Sequence, residues 1–344
     1  MTLLSRLRLA ARVLTGRDGS RPRLQPIPGI TRREVSEFKQ FFPRDKFFIF
    51  GHARSGTTLL MRLVRLHPEV HCNYQAHFFT RRPLLKSLVG TQEAQEWLSR
   101  KSNRWNRGHD LSGITLRAAA EYIMEREAAA AGKRIVGDKS PSSTIHGQAV
   151  RDLHSLFPEA RLIYIVRDGR DVVASERVRN FVEDSRFLSR EDRHILADLR
   201  YDPEAYLAGA RSIFTPGMVR RVGGGWARNV TEVNAEGRRL FGRRYLAIRY
   251  EDLLAKPLAT MTRVWKFLGA RPAGRALAKG VVEEMGSNPD QEWQTSRAHD
   301  LPRFLQKGQP GNWKRLFSAA DKTAFKQAAG PALVAWRYEK SEDW

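Results

Sequence analysis

The sequence predicts an α/β fold: a mostly parallel sheet with helices on both faces. Two observations carry that expectation. Short, wholly apolar runs of strand length recur along the 344 residues, and most are followed by a loop and then by apolar residues at helical spacing. Strands separated by helices pair in parallel, and the crossover helices cover both faces of the sheet. The runs are continuous rather than alternating, which marks strands buried on both sides.

Taken in order, the chain begins with Leu3, Leu4, Leu7, Ala11 and Leu14 at helical spacing, with Arg6, Arg8 and Arg12 between them. Residues 16–29 then carry three prolines and three glycines without periodicity. Residues 1–35 therefore read as an N-terminal basic helix and linker. The helix is either a surface packing element or, through residues 1–15, a peripheral contact with anionic membrane. Residues 36–344 read as one domain. Phe47–Phe50 is a compact buried strand, followed by the loop 51–58 and a helix with Leu59, Leu60, Leu63, Val64 and Leu66 on its apolar face, closed by His67-Pro68. Ile135-Val136 is a brief strand before Gly137. Leu162–Val166 is a further strand, entering a helix through Asp168-Gly169, and Tyr245–Tyr250 is a later one. The helix after Pro257 carries Leu258, Met261, Val264, Trp265 and Leu268. The stretches 78–113 and 177–225 lack strand signals and are rich in Arg, Asp and aromatics. Such insertions, on a rigid α/β scaffold, are expected to cover a site and select what enters it.

Composition narrows the chemistry. There are 60 Lys+Arg against 37 Asp+Glu, a net charge of +23, which favours phosphorylated or polyanionic partners. The excess is scattered in Arg-Arg pairs rather than gathered in a tail, and no helix-turn-helix, RRM, KH or zinc pattern supports a nucleic-acid binder. The single cysteine, Cys72, excludes an internal disulfide and a cysteine-based zinc cluster. No apolar run reaches the length of a signal-peptide core or a membrane span, so a cytoplasmic location is expected.

The most informative segment is Phe47–Thr58, FFIFGHARSGTT. A buried strand runs into a loop with glycines at 51 and 56, and Thr57-Thr58 begin a helix. Glycine lets successive N–H groups turn toward an anion, and the helix N-terminus adds unsatisfied donors and partial positive charge. Arg54 adds a planar guanidinium, and Ser55, Thr57 and Thr58 add hydroxyls. The spacing is close to that of a P-loop, making the fold P-loop-like, but Thr57 stands where the lysine of G-x-x-x-x-G-K-[ST] belongs. No later strand supplies a magnesium-binding aspartate in the expected form. A P-loop nucleotide kinase is thereby the weaker reading.

On these residues the sequence resembles the sulfotransferases that use 3′-phosphoadenosine-5′-phosphosulfate (PAPS), and especially the branch with the tyrosylprotein sulfotransferases and many bacterial enzymes. His52–Thr58 matches the family's 5′-phosphosulfate loop, with Ala53 where proline is common. Leu162–Asp171 followed by Ser175 matches its strand, Arg and Ser for the 3′-phosphate, which implies that role for Arg167 and Ser175. Phe304–Lys314 resembles the segment folded over the 3′-phosphate and adenine, with Gln306 and Asn312 departing from its usual Arg and Asp. Lys307 and Gly308 remain as implied contacts. Arg249–Leu253 with Pro257 resembles a further stretch whose tyrosine, here Tyr250, approaches the adenosine, although a strand-end core tyrosine explains it as well. The likeness spans about residues 47–317.

The resemblance implies PAPS as co-substrate, no metal, and transfer of a sulfonate group to an acceptor hydroxyl on a glycan, lipid or small alcohol. Such transfer needs in-line positioning, charge neutralisation on the leaving phosphate and a proton acceptor. Arg54 and the loop suit the leaving group. Lys139, in Gly137–Pro141, stands where relatives place a lysine on the bridging oxygen, though a turn lysine is the plainer alternative. The tyrosylprotein enzymes carry a catalytic Glu at the position of Gln75, and an amide cannot take that proton. His77 is the expected base, with Asp138 second; a histidine beside two phenylalanines is also a common core residue. His52, His71 and Cys72 read as structural.

Overall fold

The structure, a computed structural model, describes residues 26–344 except 184–187, 208–210, 273 and 288–307. Helix α1 (Arg32–Phe41) opens with a reciprocal capping box, in which the Thr31 hydroxyl accepts from the Glu34 amide and the Glu34 carboxylate accepts from the Thr31 amide. The boundary expected between residues 35 and 36 falls inside this helix, and Ile30 and Phe38 are both buried in the main core. Strand β1 (Asp45–Gly51) follows, then α2 (Thr57–Arg65), β2 (Val70–Tyr74), a 3-10 turn at Leu85–Val89, α3 (Gln92–Ser99) and α4 (Ser112–Ala130). Strand β3 (Ile135–Lys139), α5 (Gly147–Leu156), β4 (Arg161–Val166) and α6 (Gly169–Glu183) complete the first half. The second half runs through α7 (Arg190–Tyr201), α8 (Pro203–Leu207), α9 (Pro216–Phe241) and β5 (Tyr245–Arg249). It ends with α10 (Tyr250–Ala255), α11 (Pro257–Leu268), α12 (Arg275–Gly286), α13 (Trp313–Leu316) and α14 (Ala319–Ala335).

Among the described residues the five strands form one sheet in the order β2-β3-β1-β4-β5, and every neighbouring pair is parallel. Alternate strand side chains divide between two cores. Phe48, Phe50, Val136, Leu162 and Tyr164 pack beneath α4, α5, α6 and α9. Phe47, Ile49, Ile135, Ile163 and Ile165 pack beneath α2 and α11. Burial of each such side chain is worth about 1.5–3 kcal/mol, so the continuous apolar runs are what a sheet covered on both faces requires.

Two differences from the sequence reading concern the edge of the site. Strand β2 has a polar-looking sequence, Val-His-Cys-Asn-Tyr, that sends no strand signal, yet Val70, His71 and Cys72 are buried. The β3 strand does not stop at Val136 but runs through Gly137 and Asp138 to Lys139. Its neighbours explain this: β1 and β2 pair with it on both sides, and Asp138 lies opposite Phe48 and Asn73. Lys139 is therefore the last residue of a central strand rather than part of a turn. The stretch 78–113 holds the 3-10 turn and α3, and the described part of 177–225 is mostly helical. Among the described residues no helix is long and apolar enough to cross a membrane.

Candidate functional site

From β1 the chain runs to β2 and β3 on one side of it and then crosses to β4 and β5 on the other, so the strand order changes direction between β1 and β4. Open parallel sheets bind ligands in the crevice at the carboxyl ends of the strands there. The loop 51–58 leaves β1 at that point. Its third residue from the helix, Arg54, has φ 69°, and Gly56 has φ 82°. Gly56 is the N-cap of α2, makes no side-chain cap, and no acidic residue lies in the first helical turn. A side chain at Gly56 would meet the Tyr250 ring at 2.2 Å, so glycine is required by conformation and by space together. Tyr250 is thereby the buried wall against which the loop turns. Ser55 is buried, and its hydroxyl has no hydrogen-bond partner among the described residues. Thr57 is buried and Thr58 exposed.

The residues expected for the second phosphate meet this loop from β4 and α6. Arg54 Nε donates to Ser175 Oγ at 3.0 Å. Arg167, at the end of β4, donates from Nη1 to the Arg54 carbonyl at 3.3 Å and from Nη2 to the Gln309 carbonyl at 3.1 Å. Its guanidinium lies 5.0 Å from the Tyr250 ring centre, and its buried Nε is unpartnered among the described residues. Trp226 fixes the strand end by donating from its indole to the Arg167 carbonyl at 3.0 Å. The surface ion pair that Arg167-Asp168 could have formed is absent among the described contacts. Asp168 is bound instead to Arg170, with the Arg170 guanidinium at 2.7 Å.

Gly308 has φ 77°, and its carbonyl accepts from the Tyr250 hydroxyl at 2.8 Å. Lys307 lies outside the described residues. Composition and spacing did not reveal how this segment is anchored. Asp171 accepts from the Gly311 amide at 2.7 Å and the Trp313 amide at 3.1 Å. It sits on α6, one turn before Ser175, so one helix carries both an expected ligand and the anchor of the distant segment. The visible signal was an acidic residue in the first turn of a helix, where it can bind amides from elsewhere.

On the β2–β3 side, Lys139 is fully buried. Its ammonium lies 3.8 Å from the centre of the exposed Tyr74 ring and donates to Thr58 Oγ1 at 3.4 Å. Burial lowers its pKa to about 8. His77 is half-buried, with Nδ1 2.8 Å from Thr80 Oγ1 and Nε2 3.4 Å from Gln75 Oε1. Burial, and then the cations Arg81 and Lys139, hold its pKa below the ordinary histidine value. Asp138 accepts from the Ala76 amide at 2.9 Å and from the Ser140 hydroxyl, and burial pushes its pKa up to about 6. His52 is turned inward: its Nδ1 lies 2.8 Å from the Ala53 carbonyl, and burial lowers its pKa to about 4. Cys72 is buried, and His71 is engaged by Asn73 at 2.8 Å.

A family profile described as "Sulfotransferase family" matches residues 46–272. That stretch takes in the loop, Lys139, Arg167, Ser175 and Tyr250. A protein-tyrosine sulfotransferase A from Caenorhabditis elegans is 30% identical over 132 residues, 37% of this chain and 32% of that protein. A protein-tyrosine sulfotransferase 2 from Gallus gallus is 26% identical over 230 residues, 64% of this chain and 50% of that protein. The nodulation protein NoeE of Sinorhizobium fredii is 27% identical over 242 residues, 67% of this chain and 51% of that protein. The chain spans about half the length, or less, of these curated relatives.

Proposed function

The chain belongs to the sulfotransferase family, and from that premise we propose that it transfers a sulfonate group from PAPS to an acceptor hydroxyl. One observation carries the reading. Two buried donors without partners among the described residues, Ser55 Oγ and Arg167 Nε, lie in a loop and at a strand end that touch each other, beside a helix N-terminus without a side-chain cap. Buried polar atoms without partners are costly, and an anionic ligand with several acceptor oxygens would satisfy both.

In this reading the amides of residues 55–58, with Arg54, Ser55, Thr57 and Thr58, hold the 5′-phosphosulfate end. Arg167 and Ser175 take the 3′-phosphate, and Tyr250, Lys307 and Gly308 lie along the adenosine. Sulfonate transfer, like phosphoryl transfer, is an in-line displacement with a loose transition state, so positioning and charge are the protein's main contributions. Lys139 neutralises the bridging oxygen as its bond to sulfur breaks. His77 accepts the proton that the acceptor hydroxyl loses.

Gln75, where the tyrosylprotein enzymes carry their base, favours a glycan, lipid or small alcohol over a protein tyrosine. Residues 1–15, outside the described region, are proposed as a peripheral contact with anionic membrane, and the proposed setting is cytoplasmic. The test is thermal melting with 3′-phosphoadenosine-5′-phosphate (PAP), ATP–Mg²⁺ or duplex DNA, followed by labelled-PAPS transfer across acceptor classes. PAP is expected to raise the melting temperature without magnesium, since a ligand binding only the native state stabilises it by mass action. A shift with ATP–Mg²⁺ and none with PAP would replace this reading with a kinase.

A further inference from the structure

The segment that carries His77 is held in an uncommon backbone conformation. Gln75 has φ 60° and His77 has φ 54°, both left-handed and neither glycine. Such residues persist only where surrounding contacts over-determine them, and they gather at functional sites. Here the contacts come from one place. The amides of three consecutive residues donate to three consecutive residues at the end of β3. Gln75 N–H reaches the Lys139 carbonyl at 2.9 Å, Ala76 N–H reaches Asp138 Oδ1 at 2.9 Å, and His77 N–H reaches Ser140 Oγ at 2.8 Å. The Ser140 hydroxyl in turn donates to Asp138 Oδ2. Asp138 and Ser140 are each only 1% exposed.

From this arrangement we infer that Asp138 and Ser140 are positioning residues, a carboxylate–hydroxyl clamp that fixes the backbone of Gln75–His77 and thereby aims the His77 imidazole. Both carboxylate oxygens of Asp138 are already occupied, Oδ1 by an amide and Oδ2 by a hydroxyl, and the residue is enclosed. Its oxygens are engaged by the Ala76 amide and the Ser140 hydroxyl, so in this arrangement Asp138 serves the loop rather than the proton. The two left-handed residues explain why a side-chain clamp is needed: neighbouring backbone alone extends the β2–β3 ladder by one bond, at Gln75, and then runs out. Lys139 gains from the same device, because its carbonyl accepts from Gln75 and its neighbours' side chains bind the same segment, while its own side chain points to Thr58 and Tyr74.

The effect on turnover rests on the sulfotransferase reading, so the test begins with a readout that does not need activity. Hydrogen exchange of the Ala76 and His77 amides is measured in the full chain with PAP bound, in Asp138→Ala, Asp138→Asn and Ser140→Ala. Ser140→Ala is the milder variant, should Asp138→Ala fold poorly. Exchange at His77 in Ser140→Ala and at Ala76 in Asp138→Ala is expected to rise about tenfold, the equivalent of one lost hydrogen bond. PAP affinity should stay close to that of the parent protein. Turnover with a working acceptor should fall in the same order as protection is lost, and the rate–pH profile should keep its acid limb. Unchanged exchange in both Asp138→Ala and Ser140→Ala overturns the clamp. So does Asp138→Asn that abolishes turnover while the loop stays protected, because Asp138 would then be the proton acceptor. If exchange rises as expected but the parent protein transfers no sulfonate, the clamp stands and the reading of the reaction fails.

Discussion

In the proposed mechanism His77 must be neutral to accept a proton, so its environment would set the lower edge of activity. Burial and the nearby cations Arg81 and Lys139 all disfavour its charged form, which places the acid limb of the rate below the ordinary value of 6.5. Lys139 works in the opposite sense. In its proposed role the cation is the useful form, burial lowers its pKa to about 8, and the rate should fall as pH rises through that value. The expected profile is a bell, measured as kcat/KM against pH, which reports the groups of the ligand-free enzyme. Lys139→Arg should move the alkaline limb out of range, since a guanidinium stays charged. His77→Ala and His77→Gln should each lower turnover by about 10²–10⁴-fold with PAP affinity nearly intact, the usual span for losing a general base. A variant that kept normal turnover would make His77 a packing residue.

Among the elements, the loop after β1 and helix α6 act together. Arg54 contacts Ser175, and Arg167 contacts the Arg54 carbonyl, so the two proposed phosphate subsites share a hydrogen-bonded seam. Arg167→Ala and Ser175→Ala should weaken PAP binding by about 10–100-fold, as expected for charge-assisted hydrogen bonds. Adenosine phosphosulfate, which lacks the 3′-phosphate, should lose much less; calorimetric titration of both ligands tests this, and equal losses would move the subsite elsewhere. The double variant should fall short of the sum of the single losses, because the two side chains share Arg54. Gly56→Ala should be severe in another way. It forces a left-handed residue into the Tyr250 ring, costing about 1–3 kcal/mol in strain before any steric shift. Lower melting temperature together with lost PAP binding is the expected result.

Across the whole molecule, the site edge of the sheet is tied to the C-terminus through Arg170. This buried guanidinium is bound by Asp168 and Glu339 and stacks on Trp313 at 3.8 Å and Trp344 at 4.5 Å. It joins the β4–α6 turn, α13 and the residues after α14 in one cluster. Arg170→Ala leaves Asp168 and Glu339 without their cation and should lower stability by about 3–5 kcal/mol, read by urea unfolding. A loss below about 1 kcal/mol would show that the stacked tryptophans hold the cluster without the charge.

The sequence by itself determined the sheet's class, four of its strands and the position of the glycine loop after β1. Those features are local: a continuous apolar run needs burial on both faces, and glycine at a strand–helix turn needs left-handed space, whatever surrounds them. The resemblance added Arg167, Ser175 and Tyr250, and tertiary structure decided how they meet. It made β2 a strand despite its His, Cys and Asn, because β3 offered a ladder that propensity could not foresee. It carried β3 through Gly137 and Asp138 to Lys139, because partners on both sides outweigh weak strand formers. It gave Asp171 the amides of Gly311 and Trp313, some 140 residues away, and gave Asp138 the amide of Ala76 across 62 residues of chain. Carboxylates look alike in a sequence. Whether one takes a proton, pairs with an arginine or binds a backbone amide depends on which donors the fold delivers to it and how much water it excludes.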